Sequence, residues 1–454
     1  MSEQIEDELF FSELRKKEFS RIDENDHCYL DYTGGNLYPQ SLIKKHFDYL
    51  NLEVYGNPHS GNPTSQLSTD KVNEARKKVL NFFNAEENYY CVFTSNASAA
   101  LQIIGECYPF DAQSRFLLTA DNHNSVNGIR EYCKAKKGTV KYSLLNYEDL
   151  HINKQVLEKE LNDSEYFSNK LFAFPAQSNV SGVKHDLNWI KIAQEKGWDV
   201  LLDAAAFVPS STLDLKEHHP DFVSISFYKI FGYPTGLGCL LVRKNKFNKL
   251  KKPWFAGGTV SLVSVQYESY FLANDHERFE NGTVDYLGIP AISFGIDFIN
   301  KIGIQRIKTR IKSLANYFKT RVENLKHSNG EPMIKLFGPS VIKHKGGTFI
   351  LNFRDVNGNI FAFENVEDLA NKNKISIRTG CFCNPGIDEV NNCLTTDELA
   401  KYFTSHDLGN YHDMIQFLGK MRGAIRVSLG VATVQKDLDR FLEFVSTFKD
   451  KTVE

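Results

Sequence analysis

Short apolar runs, each closed by polar or small residues, recur along the first half of the chain, at residues 90–93, 116–118, 170–174, 200–202 and 222–225. Continuous rather than alternating hydrophobicity over so few residues is the mark of parallel strands buried on both faces. Residues 238–242 read as a further strand of the same sheet. Helical stretches lie between most of these runs, among them 73–83 and 187–196. Strand and helix in alternation predict an α/β sheet, mainly parallel, with helices on both faces. Past about residue 290 the pattern changes. Ile304, Ile307, Ile311, Leu314, Phe318, Val322 and Leu325 recur at three- and four-residue spacing, one apolar stripe on a long helix. Residues 346–353 then read as a strand and 435–448 as a closing helix. These patterns predict a large domain over 46–295, and a smaller α+β domain from 296–454 joined by the N-terminal segment 1–45.

Bulk properties narrow the class. At 454 residues the chain exceeds the size of one growing core, which agrees with two domains. A formal net charge of −2 leaves no footprint for nucleic acid or an anionic membrane surface. No apolar run is long enough to span a bilayer. The first residues are acidic and lack the basic-then-apolar pattern of a secretory signal, so a cytoplasmic enzyme is expected. Cys28, Cys91, Cys107, Cys133, Cys239 and Cys393 stand singly and read as reduced, buried thiols. Cys381-Phe-Cys383 is the one cluster. Its spacing is not that of a zinc knuckle and no second pair matches it, which favours a reactive thiol over a metal site.

The most informative stretch is Ser224-Ile-Ser-Phe-Tyr-Lys229, followed by the glycine-rich Ile-Phe-Gly-Tyr-Pro-Thr-Gly-Leu-Gly238. A lysine at the end of a buried strand makes sense when its amine is tied up as a Schiff base with an aldehyde cofactor, which points to pyridoxal phosphate. That cofactor needs an anion beside its pyridine nitrogen, donors for its phosphate and a surface for its ring. Asp203 ends the run 200–203 and is either that anion or a helix cap, since small residues follow. Thr94-Ser-Asn-Ala-Ser98 lies between a strand and a helix-like stretch, where free N–H groups suit a phosphate. His123 also follows a strand, placed to stack on the ring and move protons or to serve as a polar loop residue.

These residues, in this order, resemble the class V aminotransferase-fold family, and within it the cysteine-desulfurase domain of molybdenum cofactor sulfurases. The segments that carry the resemblance are Tyr29-Leu-Asp-Tyr-Thr-Gly-Gly35, Val54-Tyr-Gly-Asn-Pro-His-Ser60, Pro175-Ala-Gln-Ser-Asn-Val-Ser-Gly182, Ser226-Phe-Tyr-Lys-Ile-Phe-Gly232, Arg278-Phe-Glu-Asn-Gly-Thr283, Arg378-Thr-Gly-Cys-Phe-Cys-Asn-Pro-Gly386 and Arg426-Val-Ser-Leu-Gly430. The segment with the two cysteines is the most specific. The resemblance implies a fold-type-I pyridoxal phosphate enzyme. It implies that Lys229 forms the Schiff base and moves protons at the substrate α-carbon, that Asp203 pairs with the pyridine nitrogen and that His123 stacks on the ring. By the same resemblance Asn179 contacts cofactor or substrate, and Ala97, Ser98 and Ser226 bind the phosphate. Thr283 reaches the phosphate of a neighbouring subunit, which implies a homodimer, Arg426 grips the substrate carboxylate, and Cys383 accepts sulfur. Arg378 is a candidate cation for activating that thiol, with His123 a second.

The sequence departs from the family in places. Tyr228 stands where many desulfurases of the broader family have histidine. Asp388 stands near a place commonly taken by another cysteine, with Cys393 further on. Eukaryotic molybdenum cofactor sulfurases continue into a second, cofactor-binding domain, which 454 residues do not include. The expected activity is therefore conversion of L-cysteine to L-alanine with a persulfide on Cys383, passed to an unknown acceptor. The rivals are another pyridoxal enzyme of the fold (a carbon–sulfur lyase, selenocysteine lyase, epimerase or aminotransferase) and a scaffold that has kept the fold without the chemistry.

Overall fold

The computed structural model describes residues 2–163, 166–420 and 422–453. Its centre is a seven-stranded sheet made of β1 (Tyr89–Thr94), β2 (Ser114–Thr119), β3 (Thr139–Ser143), β4 (Asn169–Pro175), β5 (Asp199–Asp203), β6 (Phe222–Ser226) and β7 (Gly238–Arg243). The order across the sheet is β1-β7-β6-β5-β4-β2-β3, and only β7 runs against the others. Each apolar run read from the sequence lies inside one of these strands. Their residues are buried almost without exception, as a sheet covered on both faces requires. β3 was not foreseen: it is an edge strand with mostly exposed or half-exposed residues, so it carries no apolar run. Helices Pro63–Phe82 and Ile289–Ile302 pack together beside the sheet. The first of these starts ten residues before the predicted 73–83, where Asn62 caps it by accepting from the Ser65 N–H at 3.0 Å.

A second, four-stranded sheet holds β8 (Ile334–Leu336), β9 (Thr348–Phe353), β10 (Arg378–Gly380) and β11 (Ala424–Ser428), all antiparallel, in the order β8-β9-β11-β10. Helix Gln435–Ser446 covers one face, and its Phe441 packs on Phe318 and Phe353 with ring centroids 5.7 and 6.3 Å apart. Cys28 and Leu30 join this smaller core, whereas Phe11, Phe19 and Ile22 sit in the core of the large sheet. Helix Ile304–Glu323 serves both cores: Ile307 and Ile311 face the larger, Leu314, Phe318 and Val322 the smaller. The single stripe of the sequence is thus divided along its length. Among the described residues no helix is long and apolar enough to cross a membrane.

Phe441 is fully buried in an aromatic cluster. Phe441→Ala should lower stability by about 3–5 kcal/mol in a denaturant titration, through lost burial and the void left behind.

Candidate active site

Five strands of the large sheet end on one edge, and each end delivers a polar group. After β1, Asn96 caps helix Ala97–Cys107 by accepting from the Ala99 N–H at 2.9 Å. The first turn of that helix offers backbone donors suited to an anion. The Ala97 N–H donates to Ser226 Oγ at 3.0 Å, and Ser98 Oγ lies 2.6 Å from Ser125 Oγ. After β6 the chain does not stop at Lys229 as the sequence suggested. The strand ends at Ser226, and Lys229 rides on the single helical turn Phe227–Phe231. Gly232 ends that turn at φ 79°, where a Cβ would lie 2.3 Å from the Tyr38 nitrogen, so a left-handed residue without a side chain is required. After β5, Asp203 Oδ1 accepts from the Ala205 N–H at 3.1 Å and from Ser224 Oγ at 3.0 Å. Asp203 thus braces a turn, with no helix following it, and also lines the cavity.

After β2, His123 begins the short turn Asn124–Asn127, and its Nδ1 accepts from the Ser125 N–H at 3.1 Å. That bond leaves Nε2 as the protonated nitrogen of the neutral ring. After β4 come Gln177 and Asn179, both buried. Lys229, Asp203, His123, Ala97, Ser98, Asn179 and Ser226 all line one cavity of about 280 Å³. Thr283 does not. It is exposed and borders a separate hollow beside Thr94 and Ser95. Its loop is anchored by buried Glu280, which pairs with Arg76 at 2.7 Å and accepts from the Phe93 N–H at 2.7 Å.

The cavity fits a phosphorylated pyridine aldehyde. The Lys229 amine makes no hydrogen bond or ion pair among the described residues. The buried Gln177 Oε1 likewise has no partner. A carboxylate and a capped helix N-terminus complete the donor set. Burial pulls Lys229 below the ordinary lysine range; the charges of Asp203 and Cys383 oppose that shift, and those of Arg426 and Arg378 add to it. His123 is also held below its usual range, first by burial and then by the Lys229 charge. It is a neutral imidazole at pH 7, whereas Arg378 is a cation within electrostatic reach of Cys383.

The smaller sheet brings Cys383 to this edge. Beyond β10 the chain turns through Phe382 and Cys383, both with φ near +55° (58° and 54°), a conformation that non-glycine residues seldom adopt. Hydrogen bonds from the large sheet hold it there. The Asn124 N–H donates to the Cys383 carbonyl at 2.7 Å, and Asn179 Nδ2 donates to the Phe382 carbonyl at 2.9 Å. Asn384 Nδ2 donates to the Asp121 carbonyl at 2.7 Å and to Asn179 Oδ1 at 2.9 Å. A Cβ on Gly386 would sit 1.9 Å from the Ala120 carbonyl oxygen, so only glycine admits this approach. Cys383 is exposed, and Cys381 is half-buried with its thiol pushed up by burial. Both amide ends of Asn179 are spent on the loop, so its position is that of a brace as much as of a cavity wall.

Arg426, on β11, is buried; it donates to the Asn179 carbonyl at 3.0 Å and pairs with Asp31 at 2.7 Å. Asp388 is buried against Arg422 Nε at 2.7 Å and the Gly423 N–H at 2.6 Å, and so ties helix Pro385–Asn391 to the approach of β11. Cys393, expected to be buried, is exposed, with its sulfur 3.6 Å from the Tyr147 hydroxyl. Gln177 and Asp31 were quoted among the family segments without a role. No spacing marks them, because both act through contacts between distant segments.

A family profile described as Aminotransferase class-V matches residues 28–441. The chain belongs to the class V aminotransferase family. It is 37% identical over 473 residues to a molybdenum cofactor sulfurase of Solanum lycopersicum, an alignment covering 96% of this chain and 57% of that one. It is 35% identical over 457 residues to the human molybdenum cofactor sulfurase, covering 95% of this chain and 51% of that one. The chain thus spans little more than half the length of these relatives. Among solved structures, an apo cysteine desulfurase from Thermococcus onnurineus NA1 superposes with a TM-score of 0.79 at 24% identity, covering 96% of this chain and 97% of that one. The cysteine desulfurase CsdA of Escherichia coli gives 0.76 at 18% identity, with 96% and 98% covered. These likenesses establish the fold-type-I architecture expected from the sequence.

In the cofactor-free protein, the rate at which Lys229 reacts with a small aldehyde should reach half its maximum below the ordinary lysine pKa of about 10.4. Because the Asp203 charge raises the Lys229 pKa, Asp203→Asn should move that midpoint further down. An upward shift would contradict the assignment of the pair.

Proposed function

We propose that this chain is a pyridoxal phosphate-dependent cysteine desulfurase, a sulfurtransferase that converts L-cysteine to L-alanine and stores the sulfur as a persulfide on Cys383. The observation that carries this reading is an exposed thiol on a loop hydrogen-bonded to Asn124 and Asn179, next to the cavity wall residues His123 and Asn179, and within electrostatic reach of the Lys229 amine. A carbon–sulfur lyase or aminotransferase of the same fold needs no thiol there. A scaffold needs neither the unpartnered lysine nor the unpartnered Gln177 oxygen.

Lys229 would hold the cofactor aldehyde, Asp203 its pyridine nitrogen and His123 a ring face. The N-terminus of helix Ala97–Cys107 with Ser98 and Ser226 would hold the phosphate. Bound pyridoxal phosphate supplies a sink for the electron pair that develops at the substrate α-carbon. The chain's own residues do the rest. Arg426 orients the substrate carboxylate. Lys229, its pKa lowered by burial, takes the α-proton and returns one to carbon. Neutral His123 exchanges a proton with the substrate sulfur. Cys383 attacks that sulfur: a sulfur–sulfur bond forms as the Cβ–sulfur bond breaks, and its electron pair passes to carbon.

Exposed Thr283 is read as contacting the phosphate of a second subunit, in a homodimer with shared sites. All eight cysteines are free, which fits a reducing, cytoplasmic setting. The sulfur acceptor is a separate molecule or domain that reaches Cys383 from the solvent side.

Lys229→Ala should lose the visible absorption of the bound cofactor together with all turnover; an active variant would overturn the reading. Cys383→Ser should keep the colour and lower alanine release from L-cysteine on the order of a thousandfold or more. Mass spectrometry after cysteine treatment should find one added sulfur on the Cys383 peptide, and sulfur confined to Cys381 would move the assignment within the pair.

A further inference from the structure

Arg378 and Arg426 lie directly opposite each other on the antiparallel strands β10 and β11. Like charges facing across two strands push the strands apart. One carboxylate stands between them. Asp31 Oδ1 accepts from Arg426 Nη2 at 2.7 Å, while Asp31 Oδ2 accepts from Arg378 Nε and Nη2 at 2.9 and 2.7 Å. Asp31 thus fills the whole side-on edge of Arg378 but only half of the same edge of Arg426. The other half, Arg426 Nε, is buried and has no hydrogen-bond partner among the described residues. Two guanidinium charges against one carboxylate also leave the trio one positive charge in surplus. A half-used fork, a buried donor without an acceptor and an unbalanced cation all call for one more carboxylate.

We propose that Asp31 is a positioning residue that links carboxylate recognition at Arg426 to the placement of the Cys383 thiol. The inference rests on the desulfurase reading given above. A substrate carboxylate that takes Arg426 through Nε and the neighbouring Nη2 hydrogen sets a second anion beside Asp31, and their mutual repulsion drives Asp31 off Arg426. Asp31 has somewhere to go, since Arg378 already holds it through two nitrogens. The transfer would tighten the Asp31–Arg378 pair when substrate arrives and fix β10 in its docked position. β10 runs through Gly380 straight into Cys381, Phe382 and Cys383. The side chain of Arg378 is about half exposed (51%) and is free to follow Asp31, whereas Arg426 is pinned by the Asn179 carbonyl. Gly34 keeps the hand-over short: a Cβ there would fall 2.5 Å from Asp31 Oδ2 and 2.8 Å from Arg378 Nη2.

The test uses the holoenzyme with L-alanine, the product amino acid, which carries the carboxylate but no sulfur. In the wild type, saturating L-alanine should slow amide hydrogen exchange across residues 378–384 about fivefold. In Asp31→Asn and in Arg378→Gln, L-alanine should still change the absorption of the bound cofactor, but exchange in that segment should no longer respond. Asp31→Asn should lower kcat for L-cysteine about tenfold or more, as expected when a reacting group is misplaced, and Asp31→Glu should restore part of it. An exchange response that survives in Arg378→Gln, or an Asp31→Asn enzyme with raised KM and unchanged kcat, would overturn the link. Absence of L-cysteine turnover in the wild type would instead remove the desulfurase reading itself, so the two failures are distinct.

Discussion

A few hydrogen bonds between two sheets decide what this molecule can do. Asn179 and Asn384 bond to each other, and each reaches a backbone carbonyl of the opposite segment. Side-chain amides suit the task because each offers a donor and an acceptor that can both be used in a buried place. Without them the turn through Phe382 and Cys383 would have no reason to keep its left-handed backbone. With them, a thiol encoded late in the chain comes within electrostatic reach of a lysine encoded in the middle. The large sheet supplies the cavity, and the smaller sheet carries the exposed thiol of Cys383.

The chemistry of the cavity follows from the sheet. Strands buried on both faces cannot carry charge along their length, so the polar groups collect where the strands end. Close packing of those ends then tunes each group. Burial lowers the pKa of Lys229, and the same amine, with burial, keeps the His123 ring uncharged. Asp203 works against the trend on Lys229 and keeps the amine from being depressed further. The balance suits a site in which one basic group must take a proton while its neighbour stays neutral.

How much of this was visible in the sequence depended on whether the signal was local. The core strands were legible because covered strands write uninterrupted apolar runs, and Ile304–Glu323 was legible because its stripe keeps helical spacing. Thr139–Ser143 was not, since an edge strand exposes most of its residues and is specified by pairing with Ser114–Thr119. Lys229 was found, but its helical turn was not, because the turn is set by Gly232 lying against Tyr38. Most residues assigned to the cofactor do share one cavity. Thr283 does not, and borders a separate hollow. Asp31 and Gln177 gave no signal of their own: one acts across 347 residues of sequence to Arg378, the other by an atom left unpaired. Cys393 misled because a solitary cysteine reads as buried until its surroundings are known.

The helix Ile304–Glu323 carries a mechanical implication. One continuous rod roots its first turns in one hydrophobic core and its later turns in the other. A hinge between the two sheets would have to bend that rod between Ile311 and Leu314 or pull one end out of its packing. The lobes therefore move as one body, and any opening of the cavity to solvent falls to the loops around the rim.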